Sequence, residues 1–208
     1  MTTHRGLLLI DIQNDFLPGG ALAVPYGDDV IAIANRLLLQ SDYEVRVATQ
    51  DLHPAHHGSF ASQHSGAKPY DQGQLAGLPQ TMWPDHCVEG TPGAAFSDAL
   101  DRSRIDLVVP KGTDAGIDSY SGFFDNARRK KTALDQALRA RGITALDVVG
   151  LATDYCVKAT VLDALELGYA VRVFVDGVRA VNLSAGDGES ALAAMRSAGA
   201  ELSAGESA

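Results

Sequence analysis

A cysteine, a lysine and an aspartate each follow a short apolar stretch of the chain, and these residue types together could perform nucleophilic chemistry. Cys156 comes shortly after residues 146–151, Lys111 directly follows residues 106–110, and Asp11 lies near the end of a third apolar stretch. A thiolate is a nucleophile, and a neighbouring cation lowers the pKa of a thiol. A partly desolvated carboxylate is suited to act as a general base. The three residues predict catalysis by a cysteine nucleophile.

Each of these residues also has an ordinary structural explanation. Asp11 could cap the turn that follows it, and Lys111 could be a solvated residue at the edge of a sheet. A single cysteine is most often a small buried hydrophobic residue, which suits Cys87 better than Cys156. Asp15 lies further into the loop and is interpreted as structural.

Cys156 lies at the predicted start of a helix over residues 154–166. Thr153 or Asp154 is placed to cap this helix, and the unpaired N–H groups of its first turn favour an anion. The same N–H groups would face an incoming carbonyl group and form an oxyanion hole. This position favours the nucleophilic interpretation of Cys156.

Asp51 and His53 follow a second apolar stretch and could bind a divalent metal ion. Two residues apart in an extended segment, their side chains can point the same way, and a carboxylate with an imidazole suits a first-row divalent ion. Spacing alone does not choose a third ligand. The candidates are the four other histidines of residues 53–86, namely His56, His57, His64 and His86.

Stretches with strand character alternate with stretches of helical periodicity along the whole chain. This order predicts an α/β fold with three αβα layers, in which a mostly parallel sheet of about six strands carries helices on both faces of a single domain, residues 1–208. In such sheets functional residues gather beyond the carboxyl ends of the strands. The predicted strands are residues 6–12, 45–49, 106–110, 146–151, 169–175 and 201–203, and the predicted helices are residues 28–39, 127–140, 154–166 and 189–197.

Residues 53–92 are rich in Gly, Pro, His and Ser, and no regular element is predicted there. A segment of this length is too long for an idle loop in a compact domain. We therefore expect it to have a functional role, and its five histidines favour a metal or proton-transfer site.

The composition excludes several classes of partner. A net charge of -9 with a pI near 5.0 argues against a nucleic-acid binder, and the short basic run at residues 128–131 is interpreted as the start of a helix. No secretory signal and no apolar run of about 20 residues is found, so a membrane span is not expected. With Cys87 and Cys156 as free thiols, the chain is expected in the cytoplasm.

Longer motifs resemble a known family. In order along residues 6–199, these are LLLIDIQNDFLPGGALAVP, TQDLHPAHHGSFASQH, LPQTMWPDHCVEGT, SYSGFFDN and GLATDYCVKATVLDAL. Together they resemble the nicotinamidases and pyrazinamidases of the isochorismatase-like hydrolase superfamily, which have a Rossmann-like fold. The combination of DLHP, WPDHC and GLATDYCV is specific, whereas DIQNDF alone indicates only the superfamily.

The resemblance implies a catalytic triad of Asp11, Lys111 and Cys156. Asp11 would take the thiol proton and pass it to departing ammonia, while Lys111 would stabilise the thiolate and hold Asp11. Cys156 would form a thioester that water hydrolyses. The N–H groups of Ala152 and Cys156 would form the oxyanion hole, and a non-proline cis peptide bond entering Ala152 would aim its N–H inward.

The resemblance also implies one divalent metal ion, with zinc as the first choice and iron or manganese as alternatives. Its ligands would be Asp51, His53 and His86, whereas His57 is left outside the ligand set. The ion would orient nicotinamide through the pyridine nitrogen rather than activate water. The wall of the ring pocket would consist of Phe16, Leu22, Trp83, Tyr120 and Tyr155.

The resemblance predicts hydrolysis of nicotinamide, and of analogues such as pyrazinamide, as part of NAD salvage. Two stretches depart from the family near the expected pocket, Leu17-Pro18 and residues 112–120. Two other functions stay open: an amidohydrolase for a different small amide or carbamoyl compound, and a metal-binding or redox-sensing domain without catalysis. The sequence leaves both a monomer and a homo-oligomer open.

Overall fold

A parallel six-stranded sheet forms the centre of the computed structural model, which describes residues 4–204. Its strand order is β5-β2-β1-β6-β7-β8, and every neighbouring pair is parallel. A separate antiparallel hairpin is formed by β3 and β4. The strands are β1 (Arg5–Ile10), β2 (Val45–Asp51), β3 (Gln72–Leu75), β4 (Leu78–Thr81), β5 (Leu107–Lys111), β6 (Ala145–Leu151), β7 (Ala170–Arg179) and β8 (Glu201–Ser203), and the helices are α1 (Asp29–Leu38), α2 (Leu134–Arg139), α3 (Lys158–Glu166) and α4 (Asp187–Ser197).

The central strand β1 is apolar because both of its faces are covered. Leu7 and Leu9 pack into one hydrophobic core together with α1. Leu8 and Ile10 point to the opposite face and pack into a second core with residues of α2 and α3. Side chains of a strand alternate between its two faces, so one strand contributes to both cores. The three-layer α/β fold with helices on both faces of the sheet is confirmed.

The register of the parallel strands brings their carboxyl ends to one edge of the sheet. Ile10 is paired with Thr49 of β2 and with Gly150 of β6, and Asp51 is paired with Lys111 of β5. Asp11 follows β1 directly in a left-handed backbone conformation, with φ 48°. The residues predicted to do chemistry therefore follow adjacent strands at the same edge.

The predicted helix over residues 127–140 is wrong in its first half. Only Leu134–Arg139 is helical, and residues 127–133 form a turn, bends and an isolated bridge between Lys131 and Phe124. The Asp125 carboxylate accepts hydrogen bonds from the backbone N–H groups of Ala127, Arg129 and Lys130. These bonds compete with helix formation, because a short acidic side chain offers the backbone an alternative partner.

Residues 53–92 are more ordered than the sequence indicates. They contain the β3–β4 hairpin and a short 3₁₀ helix, and isolated bridges join His53 to Val88 and Phe60 to Trp83.

The strand predicted over residues 169–175 runs on to Arg179. Among residues 4–204, no helix is long and apolar enough to cross a membrane.

Candidate active site

Asp11, Lys111 and Cys156 lie together at the carboxyl edge of the sheet. The Lys111 Nζ atom is 2.9 Å from Asp11 Oδ2 and 3.4 Å from Cys156 Sγ. It also donates a hydrogen bond of 3.0 Å to the carbonyl oxygen of Ser119. All three predicted catalytic side chains are buried, and Lys111 is not a solvated residue at the sheet edge. Their arrangement places a cation between a carboxyl group and a thiol.

Burial dominates the electrostatics of these groups. It raises the pKa of Asp11 above the usual range, although Lys111 opposes the shift. It also raises the pKa of the Cys156 thiol well above the usual range; Lys111 opposes this rise, and Asp11 and Asp51 add to it. Burial alone would lower the pKa of Lys111, but Asp11 and Asp51 raise it, so this amine stays charged. The expected lowering of the thiol pKa by Lys111 is therefore not the net result.

Cys156 lies in a π-helical turn, Thr153–Val157, between β6 and α3. The peptide bond between Leu151 and Ala152 is cis. Ala152 and Cys156 line the same cavity, the arrangement that an oxyanion hole at their N–H groups requires.

The proposed capping role of Thr153 or Asp154 is wrong, because neither side chain caps the helical turn. The Asp154 carboxylate instead accepts hydrogen bonds from the N–H groups of Val181 (3.0 Å) and Asn182 (2.8 Å). These bonds attach the segment after β7 to the turn that contains Cys156.

Asp51, His53 and His86 form a group that could hold a metal ion. Asp51 Oδ2 is 3.1 Å from His53 Nε2 and 3.5 Å from His86 Nε2, and all three side chains are buried. The other histidines lie elsewhere or are otherwise engaged. His56 is exposed, and His64 Nε2 is 2.7 Å from the carbonyl oxygen of Gly58.

The hydrogen bonds of the two histidines fit a metal site. The Nδ1 atom of His53 is 2.8 Å from the carbonyl oxygen of Gly112, and that of His86 is 2.8 Å from the carbonyl oxygen of Pro84. A carbonyl oxygen only accepts, so each Nδ1 carries a proton, which leaves each Nε2 as the atom that would present a lone pair to a bound cation. Two imidazole lone pairs and a carboxylate oxygen thus converge, and a divalent cation satisfies all three.

His57 belongs to a second group of buried side chains with His53 and Asp118. Its Nδ1 atom accepts a hydrogen bond from the N–H group of Ser59 (3.2 Å) and lies 2.7 Å from the Ser59 hydroxyl. Burial, the largest cause, lowers the pKa of His57 to about 4, so its ring is neutral.

A narrow cavity opens in front of Cys156, Asp51 and His86, and the five residues predicted to form the ring pocket all line it. The ring centroids of Trp83 and Tyr155 are 4.8 Å apart in an edge-to-face contact, and those of Tyr120 and Tyr155 are 5.4 Å apart. Such walls suit a flat aromatic ring. The complete lining is Phe16, Leu22, Asp51, Trp83, His86, Asp118, Tyr120, Ala152, Tyr155, Cys156 and Val181.

Three buried residues of the site were not identified from the sequence as contributors. Gln13 forms two hydrogen bonds with the backbone of Asp51: its Oε1 accepts from N–H at 2.8 Å, and its Nε2 donates to C=O at 2.7 Å. The Thr49 hydroxyl group donates a hydrogen bond to the Asp11 carboxylate at 2.6 Å. Asp118 lines the cavity. Gln13 lies two residues after Asp11, and Thr49 lies two residues before Asp51. This proximity in sequence is the one feature by which Gln13 and Thr49 could have been predicted to contribute to the site.

The two departures from the family pattern have different positions. Leu17 and Pro18 line a surface groove with Asp15 and Gly93 and lie outside the lining of the cavity. Residues 112–120 contribute Asp118 and Tyr120 to the cavity wall. Only the second departure therefore borders the cavity directly.

Comparison with known proteins identifies the class to which this fold and site belong. The isochorismatase domain family matches residues 5–207, and the chain belongs to this family. Nicotinamidase of Escherichia coli (strain K12) is 57% identical over 200 residues, which cover 95% of this chain and 93% of that protein. The resemblance to nicotinamidases and pyrazinamidases is confirmed.

Two solved structures extend this comparison. A nicotinamidase/pyrazinamidase from Acinetobacter baumanii superposes with a TM-score of 0.92 at 38% identity, covering 98% of this chain and 97% of that chain. The pyrazinamidase of Pyrococcus horikoshii, solved in complex with zinc, gives a TM-score of 0.78 at 35% identity and covers 97% and 99%.

Proposed function

We propose that this protein is an amidohydrolase that converts nicotinamide into nicotinate and ammonia, and that it also accepts analogues such as pyrazinamide. The observation that carries this proposal is a single narrow aromatic cavity that contains both the Cys156 thiol and the metal-binding group of Asp51 and His86. The 57% identity to the Escherichia coli nicotinamidase supports the choice of substrate. The reaction would serve NAD salvage.

In the first half of the reaction, Cys156 Sγ attacks the amide carbon and Asp11 takes the thiol proton. The carbonyl oxygen gains negative charge, and the N–H groups of Ala152 and Cys156 stabilise it. Lys111 stays positively charged and stabilises the developing thiolate 3.4 Å away. Asp11 then gives its proton to the amide nitrogen, the C–N bond breaks, and ammonia leaves a thioester behind.

In the second half, water attacks the thioester carbon while Asp11 accepts a proton from that water. The same two N–H groups stabilise the second tetrahedral oxyanion. Its collapse breaks the C–S bond and releases the acid, and the proton on Asp11 returns to Cys156. Because Lys111 contacts both Asp11 and Cys156, the negative charge keeps a cation beside it whichever of the two groups holds the proton.

We propose that Asp51, His53 and His86 hold one divalent metal ion, with zinc as the first choice and iron or manganese as alternatives. The zinc complex of the Pyrococcus horikoshii pyrazinamidase supports this choice. When bound, the ion supplies a Lewis acid that can hold the ring nitrogen of the substrate. Phe16, Leu22, Trp83, Tyr120 and Tyr155 would pack around the ring and fix its orientation.

We further propose a single catalytic domain over residues 1–208, with the metal- and substrate-binding segment at residues 53–92. Both cysteines are free, which supports a reducing compartment such as the cytoplasm. The substrate is a small molecule, and the acidic chain is unsuited to nucleic acid or to an anionic membrane surface.

The decisive experiment measures ammonia release from nicotinamide by the purified protein, with and without a chelator. We expect turnover that Cys156→Ala abolishes and that chelation reduces, with restoration by added zinc, iron or manganese. Cys87→Ala is the matched control, because Cys87 is equally buried but its thiol lies outside the cavity lining. An active Cys156→Ala variant would overturn the proposal. Metal-free protein that binds nicotinamide as tightly as loaded protein would contradict the role of the ion.

A further inference from the structure

Thr49 is buried in β2 beside Asp11, and its hydroxyl group makes two hydrogen bonds with that residue. The Asp11 backbone N–H donates to Thr49 Oγ1 at 3.2 Å. Thr49 Oγ1 donates to Asp11 Oδ1 at 2.6 Å. The Thr49 side chain is fully buried, and its methyl group packs close to Gly122. Both the backbone and the side chain of Asp11 are therefore attached to one hydroxyl group.

The direction of these bonds is fixed by chemistry. A backbone N–H can only donate, so the Thr49 oxygen accepts from Asp11. The single hydroxyl proton of Thr49 then points to Asp11 Oδ1, which accepts it as a carboxylate oxygen. A proton placed on Oδ1 would compete with this short bond and displace the hydroxyl proton into a buried environment.

The second oxygen of Asp11 lies on the side of the nucleophile. Oδ2 is 2.9 Å from Lys111 Nζ, and the same Nζ atom is 3.4 Å from Cys156 Sγ. Oδ2 is buried, and Lys111 Nζ contacts it as an ion pair. Oδ1 is thus occupied by the Thr49 hydroxyl group, whereas Oδ2 faces the cation that also contacts the Cys156 thiol.

We propose that Thr49 is a positioning residue that reserves Asp11 Oδ2 for the proton exchanged with Cys156, by holding Oδ1 as a permanent acceptor. The inference rests on the proposed function, because it assigns the proton transfers of that reaction to one oxygen. When Cys156 attacks, the S–H bond breaks and an O–H bond forms at Oδ2. When ammonia leaves, that O–H bond breaks and an N–H bond forms.

The test compares Thr49→Val with Thr49→Ser in the metal-loaded protein. Valine keeps the shape but removes both hydrogen bonds with Asp11, whereas serine keeps the hydroxyl group that makes them. For Thr49→Val we expect kcat to fall about tenfold with KM within about twofold of wild type, because the base is misplaced while the ring pocket is unchanged. The acid limb of the kcat/KM profile should move up by about one pH unit, since the ionised form of Asp11 loses a donor. Serine should restore both values.

Thr160→Val is the matched control. Thr160 is also fully buried, its Oγ1 accepts a hydrogen bond from the N–H group of Gly122 at 2.9 Å, and its methyl group also lies near Gly122. The same substitution there should lower stability without moving the acid limb. The other charged or titratable groups facing Asp11 are Lys111, Asp51 and Cys156, and none of these variants changes them.

A Thr49→Val enzyme with the kcat and acid limb of wild type would overturn the proposal, as would an equal shift in Thr160→Val. If Thr49→Val does not fold, Thr49→Ala against Thr49→Ser makes the same comparison without an added methyl group. Failure of the proposed function is distinguishable, because the wild-type protein would then release no ammonia. In that case the rate of Cys156 alkylation by iodoacetamide is measured instead of turnover. We expect Thr49→Val to lower this rate several-fold, and Thr49→Ser and Thr160→Val to leave it unchanged.

Discussion

Lys111 Nζ lies 3.0 Å from Asp51 Oδ1, while the other oxygen of the same carboxylate faces the imidazoles of His53 and His86. One carboxyl group therefore belongs both to the metal-binding group and to the network around the nucleophile. A cation bound at Oδ2 draws the negative charge of Asp51 away from Lys111. The Lys111 amine then interacts less with Asp51 and more with Asp11. The metal-binding group and the thiol are therefore electrostatically connected through Lys111, as well as by the direct effect of Asp51 on Cys156.

Replacement of Asp51 by Asn should therefore damage both groups. We expect metal affinity to fall at least about 100-fold, because a charged ligand is lost, and turnover to stay low even at saturating metal, because Lys111 loses one of its two carboxylate partners. Metal content by elemental analysis and ammonia release at increasing metal concentration measure the two effects separately. Full recovery of turnover at high metal would contradict the second.

Asp147→Asn is the control for general destabilisation. Asp147 is fully buried, accepts a hydrogen bond from the Tyr43 hydroxyl at 2.8 Å, and pairs with Arg5 and Arg172. Breaking a buried charge network of this kind costs about 3–5 kcal/mol. We expect a large loss of unfolding free energy in denaturant titrations with an unchanged metal content. If Asp147→Asn also loses metal, general unfolding would explain the metal loss of the Asp51 variant.

The pH dependence of Cys156 alkylation follows from its environment. Burial, with Asp11 and Asp51, raises the pKa of the thiol well above the usual range, so little thiolate is present at neutral pH. Metal-free protein should react with iodoacetamide more slowly than a free cysteine at pH 7, and the rate should still rise above pH 9. Peptide mass spectrometry of the Cys156 and Cys87 peptides gives both rates. A plateau near the pKa of free cysteine would contradict this expectation.

Asp15 should control metal affinity from outside the ligand group. Its Oδ2 accepts a hydrogen bond of 2.7 Å from the N–H group of Cys87, the residue after His86, which has a left-handed φ of 47°. Asp15→Ala removes this bond and lets the backbone of His86 shift, so we expect metal binding to weaken about tenfold. Asp101→Ala is the control, since this carboxylate also accepts from a backbone N–H, that of Ser103, far along the chain. Equal metal affinity in both variants would refute the role of Asp15.

Gly150 should tolerate no side chain. Its φ is 122°, and an added Cβ would lie 2.1 Å from the carbonyl oxygen of Ile10 in the neighbouring strand. Gly150→Ala should give insoluble protein or cost at least about 3 kcal/mol, because the clash forces apart the strands that precede Asp11 and Cys156. Gly142→Ala is the matched variant: its φ is 69°, nothing lies within 4 Å of the added Cβ, and about 1 kcal/mol is expected. Thermal unfolding of the two variants makes the comparison, and similar melting temperatures would disprove it.

The order of strands and helices could be predicted because most elements have a clear apolar pattern. The rule that functional residues gather at the carboxyl ends of parallel strands also selected Asp11, Lys111 and Cys156 before any geometry was known. Their proximity follows from the strand order β5-β2-β1-β6, which places the ends of these four strands side by side.

Other features depend on contacts that local sequence does not reveal. His86 lies near Asp51 because the backbone N–H of His53 donates to the carbonyl oxygen of Cys87 at 2.9 Å, a pairing between distant parts of the chain. Residues 127–133 have helical periodicity, but the Asp125 carboxylate engages their backbone. The direction in which the pKa of Cys156 departs from its usual value could not be predicted from the sequence, because it depends on burial as well as on the nearby cation.

The wall of the cavity comes from chain segments that connect the strands, whereas Asp11 and Lys111 are fixed by the strands themselves. Leu22 lies between β1 and α1, Trp83 follows β4, and Val181 follows β7. Each of these wall residues can therefore change without altering the register of the central sheet. Directed evolution of a new ring specificity can therefore vary side chains in three segments while Asp11 and Lys111 keep their places on the sheet.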